Sequence, residues 1–328
     1  MITDMYQAFE KPTLWNEFYE KAWTKRQELM SLIIASGETH PLRVINILSS
    51  VLRFSDEEVV KVGGTSNKLA FVCDVDSKYV LDDVRNVTIV ENNNGINIET
   101  IKHLPGGMLA DIQLAHRNEY SIACSYTDCD KMEFIADYCR LRNFDAVIEL
   151  GSGYSQNLVK LFYQGGPKIP YYGGEFTRSG THCAKMLNDL SDELEIINFR
   201  FDFRKADLSI IPKYDNVLVF TSHAIEQVNI IPDDLIPIIA NVAKQVTCMH
   251  MEPFGFQLTS PDNECEIDKN QRKYFKTNDW NLNLMNQLIL HSCNGNIDLQ
   301  YIGKHMMGGS DFHNPSSIAL WKSGHIDN

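Results

Sequence analysis

Near the middle of the chain, Glu149-Leu150-Gly151-Ser152-Gly153-Tyr154-Ser155 sets a carboxylate beside two glycines spaced two apart. The apolar run at 145–150 precedes this turn and suits a strand buried on both faces. After it, Leu158, Leu161 and Phe162 share one face of a helix over 155–163, which Gly165-Gly166 closes. A glycine turn between strand and helix lets the backbone bend sharply, lets a ligand come close, and aims free N–H groups at it. Glu149 could accept a hydrogen bond from the amino group of a methionine-like ligand. Glu175 ends the next strand, where an acidic side chain takes ribose hydroxyls. A dinucleotide site would want a third glycine where Gln156 stands, to admit a pyrophosphate. Gln156 and Glu149 thus disfavour a phosphate-bearing cofactor, and with it a nicotinamide-dependent oxidoreductase. A turn of purely structural use, flanked by ordinary strand-end carboxylates, is the competing reading.

Three more residues stand where chemistry could occur. Ligands in open parallel sheets lie beyond the carboxyl ends of the strands. His223 follows a predicted strand over 216–221. His250 and Glu252 end another over 246–251 and, two apart, point to one face. Imidazole changes protonation near neutral pH, which suits His223 to general-base work, with His250 and Glu252 in support. A histidine bonded to a neighbouring loop is an equal reading. Two histidines and a carboxylate can also bind a divalent metal; a plain hydrogen-bond network is the simpler account, so no metal ligand is assigned. His305, Met306, Met307 and His313 bracket Gly308-Gly309, a turn that could cover an acceptor.

The elements that must position these residues alternate. Helices are predicted over 131–142, 155–163, 178–190 and 233–244, with strands at 145–150, 170–175, 195–201, 216–221 and 246–251. That alternation predicts a parallel sheet covered by helices on both faces. A helix over 274–290 then leads to strands at 297–304 and 316–322 with no helix between them, so the last strand should pair antiparallel. Residues 1–125 read as a separate α+β lobe, with helices at 13–36 and 42–52 and strands at 68–75 and 87–100. Asn92-Asn93-Asn94-Gly95 marks a hairpin turn in that lobe. Trp15, Phe18, Tyr19 and Trp23 fall at helical spacing there, as core or dimer-interface residues do. Residues 126–328 form the second domain.

Composition narrows the classes. The 328 residues are 44% hydrophobic and 22% charged, which allows a well-buried core. A net charge of −13 argues against nucleic acid as the main partner. No apolar run approaches the roughly 20 residues of a membrane-spanning helix, and the N-terminus lacks a signal-peptide pattern. The eight cysteines form no CxxC pair, so reduced thiols in a cytoplasmic protein are expected.

The segment Glu149 to Ser155 resembles the first motif of class I S-adenosylmethionine-dependent methyltransferases, an acidic residue followed by GxG, and the resemblance extends over most of residues 131–328. It implies a Rossmann-like α/β fold, a seven-stranded sheet whose last strand is inserted antiparallel. It implies that Gly151 and Gly153 flank the methionine moiety of S-adenosylmethionine, that Glu175 binds its ribose, and that Asp202 lies near its adenine, with Asp207 a competing candidate; Glu149, Tyr154 and Ser222 complete the expected cofactor-binding set. Residues 219–227, which include Ser222, look like the fourth-strand motif, although Glu226-Gln227 stands where many members carry Glu-His. Segments around His250, Trp280 and Asn314 resemble bacterial methyltransferases associated with sugar or polysaccharide modification. The expected function is therefore methyl transfer to a small-molecule acceptor, a hydroxyl of a sugar or sugar-like metabolite. Methylation of a small amine and a non-catalytic binding or scaffold role are the alternatives. The N-terminal lobe is expected to act as a lid or to recognise the acceptor, and a homodimer is compatible with its aromatic helix.

Overall fold

A computed structural model describes residues 12–35, 37–51, 87–91, 97–101, 112–117, 120–125, 131–307 and 315–324. It divides into a unit of residues 28–128 and a larger unit built from the sequence on either side. The two units meet along the chain at residues 128 and 129. At the other end, the first part of helix α1 (Pro12–Ala35), through Gln27, belongs with the larger unit.

In the smaller unit, the rest of α1 and helix α2 (Pro41–Val51) bury Met30, Ile33, Ile45 and Leu48. Strands β1 (Val87–Glu91), β2 (Asn97–Ile101), β3 (Ile112–Arg117) and β4 (Tyr120–Ser125) form an antiparallel meander in chain order. The first pair realises the hairpin expected around Asn92 to Gly95, with Val87 opposite Ile101. The strand expected at 68–75 lies outside the described residues. The β3–β4 pair was not anticipated, although Ile112, Leu114 and His116 alternate with Gln113, Ala115 and Arg117, a weak period-two signal.

The larger unit alternates as expected. Helix α3 (Lys131–Arg140) leads to β5 (Ala146–Leu150), buried at every position, then to α4 (Gln156–Tyr163) and β6 (Tyr171–Glu175). Next come α5 (Arg178–Asn188), β7 (Ile196–Arg200), β8 (Asn216–Ser222), α6 (Leu235–Ala240) and β9 (Gln245–Glu252). Helices α7 (Glu266–Thr277) and α8 (Leu284–Cys293) precede β10 (Asp298–Met307) and β11 (Ser316–Ser323). The sheet order is β10-β11-β9-β8-β5-β6-β7. Six strands run parallel, and β11 lies antiparallel between β9 and β10. This is a Rossmann-like α/β sheet of seven strands with the last inserted antiparallel, the arrangement that the resemblance implied.

The order reverses direction at the middle. From β5 the chain builds outward through β6 and β7, then returns to place β8 on the other side of β5. Neighbouring connections therefore leave the carboxyl ends of β5 and β8 in opposite directions and open a crevice there. Both the glycine turn and His223 sit at that switch point.

Two helix expectations are corrected. The helix expected over 233–244 spans six residues, Leu235–Ala240. The helix expected over 274–290 is two helices, broken where Asp279 takes a left-handed backbone, φ 53°. Asn281 in the break donates its side-chain N–H to Val228 O (2.9 Å) and its backbone N–H to Glu226 O (2.8 Å). Asparagine and aspartate tolerate and bond such turns, so the amphipathic pattern continues through a break that pins the 225–228 turn. Among the described residues no helix is long and apolar enough to cross a membrane.

Candidate functional site

The turn after β5 takes its shape from three left-handed residues, Gly151 (φ 78°), Gly153 (φ 55°) and Ser155 (φ 60°). Gly151 and Ser152 both donate their N–H groups to Gly174 O, which ties the turn to β6. At Gly151 a Cβ would lie 2.4 Å from the Cβ of Ala224. Gly151→Ala therefore meets both backbone strain and a clash, and is expected to cost about 1–3 kcal/mol of stability in urea unfolding. An unchanged unfolding midpoint would mean that the turn relaxes freely around the added methyl.

Above the turn lies a cavity of about 540 Å³. Its walls include Gly151 to Tyr154, Glu175 and Phe176 at the end of β6, Phe201 to Arg204 beyond β7, and Ser222 to Ala224 at the end of β8. Six of the seven residues expected to bind the cofactor thus line one space: Gly151, Gly153, Tyr154, Glu175, Asp202 and Ser222. Asp202 is engaged by Arg204, whose Nε and Nη2 donate to its two oxygens at 2.9 Å. Burial works against its ionisation, but the Arg204 bonds outweigh it and hold the carboxyl below its usual range. Asp207, the competing candidate, is not among the lining residues.

The seventh, Glu149, is fully buried and stands just before the turn rather than on the cavity wall. Its Oε1 accepts from Asn157 Nδ2 at 2.7 Å, while Oε2 has no hydrogen-bond partner. Burial pushes its carboxyl up to about 8; the Asn157 bond opposes this, and the charges of Glu175 and Glu252 add to it. Glu175 is differently placed. Its Oε2 accepts from Gly153 N at 2.9 Å and its Oε1 from Thr177 N and Oγ1, so it braces the glycine turn as well as facing the cavity.

The expected catalytic trio does not converge. His223 lines the cavity, a third exposed, in a left-handed backbone (φ 50°). Its Nε2 lies 2.6 Å from Ser316 Oγ and its Nδ1 3.4 Å from Glu226 Oε1. His250 is instead a core residue, 0% exposed. Trp321 Nε1 donates to its Nε2 at 3.0 Å, and its Nδ1 bonds Thr221 Oγ1 at 3.1 Å. Burial lowers its pKa to about 4, so it stays neutral with both nitrogens used. Glu252 is also fully buried, and its carboxylate accepts from the N–H groups of Ala224 (3.0 Å), Ile225 (3.4 Å) and Glu226 (3.3 Å). It therefore holds the 3₁₀ turn after His223. The same packing removes His250 and Glu252 from any shared metal site with His223.

Several cavity residues were not expected. Tyr19 and Trp23 of α1 form part of the wall, together with Gln227, Asn229, Ile230 and Asp279. Glu20 fixes that stretch of helix by accepting from the N–H groups of Arg178 and Ser179 at the start of α5. Trp23 stacks edge-on against Tyr154 at 5.4 Å, and Tyr19 donates to Gln227. The helical spacing of Tyr19 and Trp23 was visible; that their face covers this cavity was not. Side chains of Trp15 and Phe18, like His313, lie outside the described residues.

No family model matches the sequence, and no curated protein matches it. Solved structures similar to the chain include the plantazolicin methyltransferase BpumL in complex with SAH, at 14% identity and TM-score 0.39, covering 60% of this chain and 83% of that one. A SAM-dependent methyltransferase from Aquifex aeolicus is 14% identical with TM-score 0.38, covering 58% and 88%. An O-methyltransferase family protein from Burkholderia thailandensis is 10% identical with TM-score 0.41, covering 60% and 56%.

Proposed function

We propose that the protein is a methyltransferase that uses S-adenosylmethionine to methylate a hydroxyl of a sugar or sugar-like small molecule. The observation that carries this reading is the composition of the crevice: a glycine turn lined by Glu175, with the unpartnered Oε2 of Glu149 just before it. Such a site favours a ligand with an ammonium and a sulfonium, and disfavours the doubly anionic pyrophosphate of a dinucleotide. When bound, the donor supplies an electrophilic methyl group.

The chain's own residues supply alignment and a base. Glu226 beside Nδ1 of His223 favours the proton on that nitrogen and leaves Nε2 to accept one, the place that the Ser316 hydroxyl now fills. An acceptor hydroxyl that takes the place of Ser316, or bonds to it, passes its proton to His223 as the oxygen attacks. Glu252 and Asn281 hold the turn that carries Glu226, so both are positioning residues. The rings of Tyr19 and Trp23 with the amides of Gln227 and Asn229 offer the apolar face and hydrogen-bonding edge that a sugar presents.

S-adenosylhomocysteine should raise the melting temperature, and NAD should not. At a hundredfold excess over Kd, binding contributes about 2.7 kcal/mol. Stabilisation by NAD alone would overturn the reading. A screen of sugar acceptors with labelled methyl donor then tests the transfer itself; label appearing only on amines would move the assignment to nitrogen.

A further inference from the structure

Away from the cavity, Cys265, Asp268 and His305 bring a thiol sulfur, a carboxylate oxygen and an imidazole nitrogen within 4.8 Å of one another. From this geometry we infer a zinc-class divalent cation site that staples the start of α7 to the end of β10, built from Cys265, Asp268 and His305. The inference does not depend on the proposed methyl transfer.

Each ligand is presented for the role. Cys265 occupies the N-cap of α7, yet its side chain caps no backbone N–H. Asp268, one turn on, is fully buried. Its Oδ1 lies 2.8 Å from His305 Nε2, and its Oδ2 accepts from Lys304 Nζ at 2.5 Å. His305 is held in a left-handed backbone, φ 51°, and its Nδ1 is buried without a hydrogen-bond partner. Gly255 makes room for the ring: a Cβ there would lie 2.3 Å from His305 Cε1.

A thiolate, an imidazole and a carboxylate form a mixed set that suits zinc and leaves a fourth position for water. On binding, the Cys265 S–H bond gives way to a sulfur–metal bond and the proton leaves to solvent; His305 binds as neutral imidazole. Lys304 stays on the second carboxylate oxygen and orients it, as outer partners of metal ligands do. The staple would fix more than α7. His305 N donates to Ser317 Oγ at 3.0 Å, and the adjacent Ser316 bonds His223. An ion here would steady the strand end that faces the cavity histidine.

Cobalt(II), added alone to the full chain, should bind at one equivalent and give a sulfur-to-cobalt charge-transfer band with the visible bands of a four-coordinate ion. Cys265→Ser should remove the charge-transfer band and weaken binding at least about tenfold. Serine is a good N-cap, so the variant keeps its fold, which far-UV circular dichroism checks. Zinc should raise the melting temperature of the parent and not of Cys265→Ser. A parent that gives no saturable cobalt signal overturns the inference. So does a charge-transfer band that survives in Cys265→Ser, because it would place the ion on another cysteine.

Discussion

Replacing His223 with asparagine should lower kcat by about 10²- to 10⁴-fold, the range ascribed to a general base, and leave the dissociation constant for S-adenosylhomocysteine within about twofold. Asparagine is chosen because position 223 has φ 50°, and asparagine visits the left-handed region more readily than alanine. The turn after β8 should therefore keep its shape, and loss of rate reports loss of the imidazole. Glu226→Gln should lower kcat by less, because the carboxylate touches Nδ1 and not the acceptor. Radiolabel transfer under single-turnover conditions separates the chemical step from product release. Unaltered single-turnover rates in His223→Asn would remove the histidine from the mechanism. Parallel losses of rate and cofactor affinity would make its role structural.

Why the sequence places His223 at the cavity but hides the burial of His250 and Glu252 follows from the sheet. Strand alternation correctly places His250 and Glu252 on one face of β9. What surrounds that face depends on β11, which inserts beside β9 and sets Ala319 opposite His250. Trp321, two residues on in β11, delivers its indole N–H to His250. A pairing between residues 71 apart leaves no local mark, so the histidine's burial was not legible. The fold was far more legible, because β5 and β8 at the sheet's centre are largely apolar runs bounded by turn residues. The break between α7 and α8 was hidden for a related reason. Leu284, Met285 and Leu288 keep a helical rhythm beyond it, and Asn278-Asp279 is polar enough to pass as an exposed helical turn.

The geometry of the glycine turn is legible almost in full, because a glycine at positive φ and a carboxylate at a strand end are local features. Its electrostatics were not. Four buried glutamates, Glu149, Glu175, Glu226 and Glu252, come from four different segments, and their mutual repulsion exists only once the fold assembles them. Glu149 responds to Glu175 and Glu252, and Glu252 in turn to Glu226.

That assembly sets up the second large effect. Glu149→Gln should weaken binding of S-adenosylhomocysteine by about 10- to 100-fold, the equivalent of the roughly 1.5–3 kcal/mol of a hydrogen bond to a charged group. It should also abolish a proton release that accompanies binding. In the free protein the Glu149 carboxyl titrates near 8 against an ordinary 4.5. It is thus protonated at neutral pH, whereas an ammonium bound at Oε2 requires the carboxylate. Ligand binding between about pH 5 and 8 therefore expels a proton, which calorimetry in two buffers of different ionisation enthalpy measures. The stability of the free protein carries the opposite signature. The folded state keeps a proton that the unfolded chain has lost, so this contribution is fully present below pH 4.5 and is lost as pH rises to about 8. Glu252, whose pKa is also raised by burial and by Glu226, adds a slope of the same sign that remains in the variant. Glu149→Gln should consequently flatten, and not erase, the decline of stability across that window. Equal affinity and equal proton release in parent and variant would show that the amino group is held elsewhere, and would leave the unpartnered oxygen of Glu149 without a part in binding.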